Sequence, residues 1–263
     1  MSKLKALVPQ NIKNLYHLGQ AVLANVRYGF PSRKIKVIGV TGTNGKTTAV
    51  QMITRILEEA GSPVKSGEYG ASKVAMASTI NFKLNGVEEV NKTKFTTLSA
   101  FAVQKFIKDA VKGNHDYVVL ETSSHSLDQY RVWGVKYDTA VITNVTREHL
   151  DYHKTMDKYR QAKAKLFSNV KTAIVNLDME KPEEFLQYEN VVKFGYTCHP
   201  ELVSGSKMSR FRIPPEGGHG KSGMTVFEAD NVELEMNYSR FKIQDSRFLL
   251  NLPGLFKIGR AHV

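Results

Sequence analysis

One seven-residue segment constrains the fold of this chain more than any other feature. It reads Gly42-Thr43-Asn44-Gly45-Lys46-Thr47-Thr48 and lies between a β-rich run at 34–41 and a helical pattern at 47–60. Glycines let backbone N–H groups turn inward on phosphate oxygens, and the N-terminus of the next helix adds positive potential. In such a loop Lys46 would reach the β- and γ-phosphates of ATP, and the Thr47 hydroxyl would ligate Mg²⁺. The segment therefore predicts a phosphate-binding loop.

The spacing of this segment is shorter than that of the standard phosphate loop, because Val40 stands where the first glycine of that pattern is expected. A plain glycine-rich turn before a helix is the alternative interpretation. The Lys46-Thr47 pair, at the start of a helix that follows a strand, favours phosphate binding.

Strands and helices alternate along the chain to about residue 180. Strand-like runs lie at 34–41, 73–80, 117–121, 138–144 and 172–177, and helical patterns lie at 1–34, 47–60, 97–112 and 155–167. The alternation predicts an α/β fold with a mostly parallel sheet and helices on both faces. Asn85-Gly86 predicts a hairpin turn.

The rest of the chain is less regular. Short strand-like runs at 191–196, 224–228, 232–236 and 248–252 predict a small β-rich part after about residue 180. The polar stretch at 122–126 is interpreted as a loop, and the stretches at 62–72 and 197–222 as insertions.

The charge balance restricts the partners of this chain. Its 263 residues include 37 Lys and Arg against 25 Asp and Glu, which gives a net charge of +12. The basic residues are scattered and form no nucleic-acid-binding motif, so we expect small anionic substrates and no nucleic acid. A basic surface without a specific partner is the alternative.

Two further features concern the location of the protein. No apolar run reaches the length of a membrane span, and no signal peptide is recognisable, so we expect no membrane partner. The chain has one cysteine, Cys198, which fits a reducing, cytoplasmic location.

A second group of polar residues follows the strands that come after the loop. Glu121 ends the apolar run at 117–121, so its carboxylate would face the ligand crevice at the carboxyl edge of the sheet and could hold Mg²⁺. The run at 138–144 leads to His149 and His153. Either histidine taken alone is better explained as a surface or hydrogen-bonded side chain.

Four segments occur in a fixed order: GTNGKTT, ETSSHSLDQYRV, TNVTREHLDYH and YRQAKAKLF. From Ile35 to Asp178 they resemble the Mur ligases, and specifically the UDP-N-acetylmuramoyl-tripeptide synthetases. The resemblance implies the central ATP-binding domain of that family. It also implies an ATP-dependent ligase of peptidoglycan precursor synthesis, with ATP and Mg²⁺ as cofactors and UDP-MurNAc-dipeptide and an amino acid as substrates. Which amino acid is added, and the oligomeric state, stay open.

The resemblance implies roles for individual residues. The segment 42–48 would bind the ATP phosphates. Thr47 and Glu121 would hold one Mg²⁺, and Glu121 and His149 would help to hold a second. Lys163 matches a lysine that reacts with CO₂ to form an anionic carbamate, a further ligand of the second Mg²⁺; without the resemblance it reads as an ordinary solvated lysine. The residues expected to contact UDP-MurNAc-dipeptide are Thr96, Thr97, Ser123, Gln129 and Arg131.

The implied reaction joins a carboxylate to an amine. The carboxylate attacks the γ-phosphorus of ATP to give an acyl phosphate, and the amino acid then displaces phosphate. This chemistry needs positioned cations, here Lys46 and the two Mg²⁺, more than a covalent nucleophile. Two alternatives are a nucleotide-binding module without catalysis and a ligase like folylpolyglutamate synthase, a family that lacks the SSHSLDQ segment.

The resemblance also predicts a domain organisation. Residues 1–34 would form a short helical extension where the family has a larger nucleotide-sugar-binding domain. Residues 35–256 would form an incomplete central domain, ending in the family-like segment LNLPGLF, and 257–263 would be a foreign tail. Since the family's C-terminal domain carries the amino-acid-binding residues, we expect a chain that ends here to show little or no ligation.

Overall fold

The computed structural model of the protein describes residues 9–60, 62–63, 69–70, 72–93, 96–188, 192–197, 224–234, 239–243 and 246–250. The helices are α1 (Gln10–Tyr28), α2 (Lys46–Ala60), α3 (Ala100–Lys112), α4 (Ser124–Asp128), α5 (Leu150–His153), α6 (Met156–Ala164) and α7 (Glu183–Leu186), with 3₁₀ turns at Pro31–Lys34 and Lys165–Phe167. The strands are β1 (Lys36–Thr41), β2 (Ser62–Pro63), β3 (Tyr69–Gly70), β4 (Val74–Ala77), β5 (Asn81–Leu84), β6 (Val87–Val90), β7 (Tyr117–Glu121), β8 (Thr139–Ile142), β9 (Thr172–Asn176), β10 (Val192–Thr197), β11 (Met224–Leu234), β12 (Ser239–Ile243) and β13 (Ser246–Leu250).

Eleven strands form one sheet in the order β13-β12-β11-β10-β9-β8-β1-β7-β4-β5-β6, and β2 pairs only with β3. The pairs from β4 through β11 are parallel. The strands at the two ends, β5 with β6 and β12 with β13, pair antiparallel. The predicted α/β fold with a mostly parallel sheet is confirmed.

The core lies on both faces of the sheet because β1 is buried on both sides. Val37 packs with Val118 and Ile142 in one cluster, whereas Ile38 and Val40 pack in the other. Buried residues of α3 join the first cluster, and Val50 of α2 joins the second. An apolar run without polar interruption is typical of a central parallel strand covered by helices.

The strand register brings three chain segments to one edge of the sheet. Val40 of β1 is in register with Glu121 of β7, and Thr41 is in register with Ile142 of β8. The parallel strands therefore end side by side, so the loop after β1, the residues after β7 and the residues after β8 meet. The site described below is built at this edge.

Local capping decides where the helices begin and end. The pattern at 1–34 predicted one helix, but α1 ends at Tyr28 because Gly29 adopts a left-handed conformation with φ of 70°. The helix predicted over 97–112 begins at Ala100, since the Ser99 side chain accepts a hydrogen bond from the Ala102 amide. This cap leaves Thr96 and Thr97 outside the helix and near the site.

Several element predictions were wrong in detail. The stretch 122–126 is not only loop, because Ser123 caps the short helix α4. The run at 224–228 and the described part of the run at 232–236 lie in one strand, β11, and β12 was not predicted. Cys198 and the proposed tail at 257–263 lie outside the described residues.

All of the segment LNLPGLF after Leu250, and most of the stretch at 197–222, also fall outside the residues that the structure describes. Among the helices it does describe, none is long and apolar enough to cross a membrane.

Candidate active site

The predicted phosphate loop turns from the end of β1 into α2. Gly42 has φ of 148° and Gly45 has φ of 79°, a region that only glycine occupies freely. A Cβ atom on Gly42 would lie 1.9 Å from Thr143 Oγ1. A glycine is therefore required at position 42 by both the backbone conformation and the lack of space.

The loop is fastened to the segment that follows β8. The Thr43 amide donates to the Asn144 carbonyl at 2.9 Å, and the Asn44 amide donates to Asn144 Oδ1 at 2.9 Å. The Thr43 hydroxyl accepts from the Thr146 amide at 3.0 Å. These bonds hold the loop in one conformation. Sequence reasoning identified the loop but not Thr143 or Asn144 as its supports.

Lys46 folds back over its own loop. Its Nζ donates to the Thr43 carbonyl at 2.7 Å. Burial lowers the pKa of Lys46, although the charges of Glu121 and Glu148 act in the opposite direction. The amine thus lies at the loop in an environment where added negative charge, such as that of phosphates, would favour its protonated form.

Glu121 is buried at the end of β7 and accepts three hydrogen bonds. Its Oε2 accepts from Thr47 Oγ1 at 2.9 Å and from the Thr79 amide at 2.8 Å, while its Oε1 accepts from Thr79 Oγ1 at 2.9 Å. The carboxylate is therefore aimed at the first turn of α2. Thr79 was not predicted; it follows β4, which ends beside β7 at the same edge.

The donor set around Glu121 fits a magnesium ion that arrives with a nucleotide. Within the described residues, Glu121 forms no ion pair, and no three His, Cys, Asp or Glu side chains are placed to hold a metal ion. Thr47 and Glu121 provide two oxygens. Mg²⁺ commonly takes one or two carboxylates and completes its shell with phosphates and water.

Lys163 lies beneath the loop and is 1% exposed. Its Nζ donates to the Gly42 carbonyl at 2.7 Å and sits 4.4 Å from the centre of the Tyr159 ring. Burial, and next the charge of Lys46, hold the pKa of Lys163 well below its usual value, against the opposing charge of Glu148. The interpretation of Lys163 as a solvated lysine is therefore wrong.

Tyr159 links the loop to the helix that carries Lys163. Its hydroxyl lies 3.1 Å from Thr43 Oγ1, and its side chain is fully buried. Tyr159 is the first residue of the segment YRQAKAKLF, but sequence analysis assigned it no role. Its position in α6, four residues before Lys163, places the two side chains on one helix face.

The two predicted histidines differ in environment. His149 is the residue that precedes α5 and has φ of 56°. Its side chain is more than a third exposed, and its ring packs edge-on against that of His125, with 4.9 Å between the ring centres. His153 is buried, with Nε2 3.0 Å from Ser124 Oγ. Burial, and next the charge of His125, lower the pKa of His153 to about 4. His153 is therefore a hydrogen-bonded interior residue.

A cavity of about 540 Å³ joins most of the predicted residues. The predicted residues on its wall are Gly42, Lys46, Thr96, Ser123, Gln129, Arg131, His149 and Lys163. The unpredicted ones are His17, Gln20, Ser99, Ala100, Ser124, His125 and Tyr159.

The other predicted residues are not part of the cavity wall: Thr43, Asn44, Gly45, Thr47, Thr48, Thr97 and Glu121. Thr97 is buried, with its hydroxyl 3.1 Å from the Glu121 carbonyl and 3.2 Å from Ser123 Oγ. Its own carbonyl accepts from Arg131 Nη1 at 2.9 Å. Thr97 is thus placed to orient Ser123 and Arg131.

Replacement of Thr79 by valine, which keeps the shape and loses the hydroxyl, tests how Glu121 is oriented. We expect the affinity for ADP at limiting Mg²⁺ to fall about three- to tenfold, the equivalent of one hydrogen bond, while metal-free ADP binds as before. Isothermal titration with and without Mg²⁺ measures both affinities. Thr139→Val, a change in β8 away from this edge, is the control, and an equal loss with and without Mg²⁺ would contradict the role of Thr79.

The chain matches proteins of known family. The family model described as the Mur ligase middle domain matches residues 40–240. The UDP-N-acetylmuramoyl-L-alanyl-D-glutamate--2,6-diaminopimelate ligase of Bacillus cereus is 34% identical over 236 residues, which cover 86% of this chain and 44% of that protein. The ligase of the same name from Clostridium botulinum is 34% identical over 244 residues, which cover 92% of this chain and 44% of the relative.

Solved structures share the fold. A structure named as a UDP-N-acetylmuramoyl-L-alanyl-D-glutamate--2,6-diaminopimelate ligase superimposes with a TM-score of 0.58 at 24% identity, over 82% of this chain and 38% of that one. The MurF ligase of Thermotoga maritima in complex with ADP superimposes with a TM-score of 0.53 at 19% identity, over 89% of this chain and 44% of that one. Escherichia coli FolC in complex with DHPP and ADP superimposes with a TM-score of 0.55 at 17% identity, over 94% of this chain and 58% of that one.

Proposed function

This chain belongs to the Mur ligase family, whose middle domain it contains, and on that premise we propose a specific reaction for it. The protein adds an amino acid to UDP-MurNAc-dipeptide, with ATP as the energy source, in cytoplasmic synthesis of the peptidoglycan precursor. The chain spans 44% of the length of the Bacillus cereus relative. The names of the relatives make 2,6-diaminopimelate the first amino acid to test.

The observation that carries this proposal is the convergence of the phosphate loop, Glu121 and Lys163. Thr47 of the loop donates to Glu121 at 2.9 Å, and Lys163 donates to the Gly42 carbonyl at 2.7 Å. A carboxylate and two lysines, Lys46 being the second, therefore surround one phosphate loop. Glu121 can hold Mg²⁺ and Lys46 can offset phosphate charge, and transfer of a phosphoryl group to a carboxylate needs both.

Different residues would bind the phosphates and the metal ion in the first step. The loop amides and Lys46 would bind the ATP phosphates, and Thr47 with Glu121 would hold Mg²⁺, which when bound offsets charge on the transferring phosphoryl group. A carboxylate oxygen of the substrate attacks the γ-phosphorus, and the bond to the β,γ-bridging oxygen breaks. ADP leaves and an acyl phosphate forms.

In the second step the amine nitrogen of the amino acid attacks the acyl carbon. The bond from that carbon to the phosphate oxygen breaks, phosphate leaves, and the nitrogen loses a proton. Arg131 on the cavity wall would bind an anionic group of the substrate, because its buried Nε has no hydrogen-bond acceptor within the described part of the chain. Thr96, Ser123 and Gln129 provide polar groups on the same wall.

Lys163 is proposed to act as a carbamate. Burial lowers the pKa of Lys163 and so favours its neutral amine, and a neutral amine attacks CO₂, loses a proton and becomes an anionic carbamate. The change places a negative charge near the loop. His149, at the same cavity, is proposed to assist in holding the second Mg²⁺ with Glu121 and this carbamate.

Hydroxylamine tests the first step because it captures an acyl phosphate without the amino acid. We expect the chain, with MgATP and UDP-MurNAc-L-Ala-D-Glu, to form a hydroxamate and equimolar ADP. Dihydropteroate in place of the UDP substrate is the control for the folylpolyglutamate-synthase-like alternative, and hydroxamate formed only from dihydropteroate would favour it. Nucleotide binding without any hydroxamate would favour the non-catalytic alternative.

A further inference from the structure

The outer face of α1 carries a continuous apolar surface. Five of its side chains are 57–68% exposed and Val22 is 38% exposed. The six residues are Ile12, Leu15, Tyr16, Val22, Leu23 and Val26. At 3.6 residues per turn they fall, together with Gly19, within a stripe roughly 120° wide, which we call the outer stripe.

The outer stripe is not a part of the protein core. The opposite side of α1 makes the internal contacts, where Ala21 and Ala24 are fully buried and pack with Ala100 of α3. A helix on a protein surface normally presents polar residues to water on the face that lies away from the core. Single exposed apolar residues are common, but a contiguous set of this size marks an interaction surface.

The charged side chains of α1 and of the chain around it have a single sign. The first acidic residue of the chain is Glu58, and the 57 residues before it contain nine lysines and arginines. Within α1 the charged residues are Lys13 and Arg27, which the helical period places along one edge of the stripe. A partner that covers this stripe should therefore be apolar and negatively charged.

A second copy of α1 fits this pattern poorly. Antiparallel pairing of two stripes would set Lys13 of one copy opposite Arg27 of the other. Parallel pairing would leave both cations of each copy without an acidic partner, because α1 contains no acidic residue.

We propose that α1 lies on the surface of an anionic lipid bilayer. The outer stripe enters the boundary between headgroups and acyl chains, while Lys13 and Arg27 reach lipid phosphates. The sequence predicted no membrane partner because no segment can span a bilayer, but a helix that lies in the interface needs no span. The surface would bring a cavity that His17 and Gln20 of α1 help to line close to the membrane.

Vesicle flotation tests this proposal with the 263-residue chain. We expect it to float with vesicles of phosphatidylcholine and phosphatidylglycerol, to float much less with phosphatidylcholine alone, and to be released by salt. The double variant Leu15→Glu/Leu23→Glu should bind the mixed vesicles at least about tenfold more weakly, because two exposed apolar side chains are lost from the contact. The matched control is Ile56→Glu/Val87→Glu, which places the same charges at exposed apolar sites outside α1.

Three results would overturn the proposal. The first is equal vesicle binding by the double variant and the wild type, and the second is equal binding to charged and uncharged vesicles. The third is no vesicle binding together with a dimer, seen by sedimentation equilibrium, that the double variant loses; that result would assign the stripe to a second copy. Circular dichroism and ADP titration of the variants check folding and keep this test separate from that of the proposed ligase.

Discussion

Replacing Lys46 by alanine will weaken the binding of MgADP by about a hundredfold, as is typical when one partner of a buried charge pair is removed. Lys46 is the cation held at the loop, where its Nζ already bonds to the Thr43 carbonyl at 2.7 Å. Without it, the phosphates would rely on the backbone N–H groups of the loop and on the Mg²⁺ held by Thr47 and Glu121. Titration calorimetry with the wild type and the variant measures the difference.

Lys171→Ala is the matched control for this experiment. The Lys171 side chain is 73% exposed and forms a surface ion pair with Asp138. Its loss removes the same charge from the chain and should change ADP affinity little. If the Lys46 variant binds MgADP as tightly as the Lys171 variant does, residues 42–48 are a glycine-rich turn and not a phosphate loop.

Replacing Lys163 by methionine will abolish hydroxamate formation and flatten the dependence of stability on pH. Burial holds the pKa of Lys163 well below 10.5 in the folded chain. Between that depressed pKa and 10.5 the unfolded chain therefore binds one more proton than the folded chain. The free energy of unfolding should thus rise with pH in this window, by up to about 1.4 kcal/mol per pH unit, and the methionine variant lacks this contribution.

Urea unfolding between about pH 7 and pH 9, in buffer freed of CO₂, measures how the free energy of unfolding changes with pH in the wild type and in the variant. Lys158→Met is the control because Lys158 is an exposed residue of the same helix. Adding ¹³C-bicarbonate should then give a carbamate signal in the ¹³C NMR spectrum of the wild type that is missing from the Lys163 variant. If the free energy of unfolding changes equally with pH in the wild type, the Lys163 variant and the Lys158 variant, Lys163 stays charged in the folded chain.

The sequence predicted the sheet edge because the information for it is local. A strand that ends in glycines before Lys46, and an apolar run that ends at Glu121, each show where a chain segment stops. In a parallel sheet such ends meet at one edge whatever the order of the strands. The loop, Glu121 and the segment leading to His149 could therefore be placed together before any distance was known.

The supports of the site could not be predicted because they depend on which strands are neighbours. Thr79 bonds to Glu121 only because β4 pairs with β7, and strand order cannot be read along the chain. Lys163 could not be selected from its local sequence, because the nearby cations Lys158, Arg160 and Lys165 suggest a solvated surface. Only the family resemblance selected Lys163. The local sequence was misleading because the helix turns this side chain toward the loop.

The fastening of the phosphate loop to residues 143–146 has a mechanical consequence. Thr43 and Asn44 are bonded to Asn144 and Thr146 through main-chain and side-chain groups, so neither segment can move by itself. His149 stands three residues beyond the last of these bonds. We therefore expect a displacement of the loop by an incoming triphosphate to move residues 143–146 with it, and so to shift His149 on the wall of the cavity.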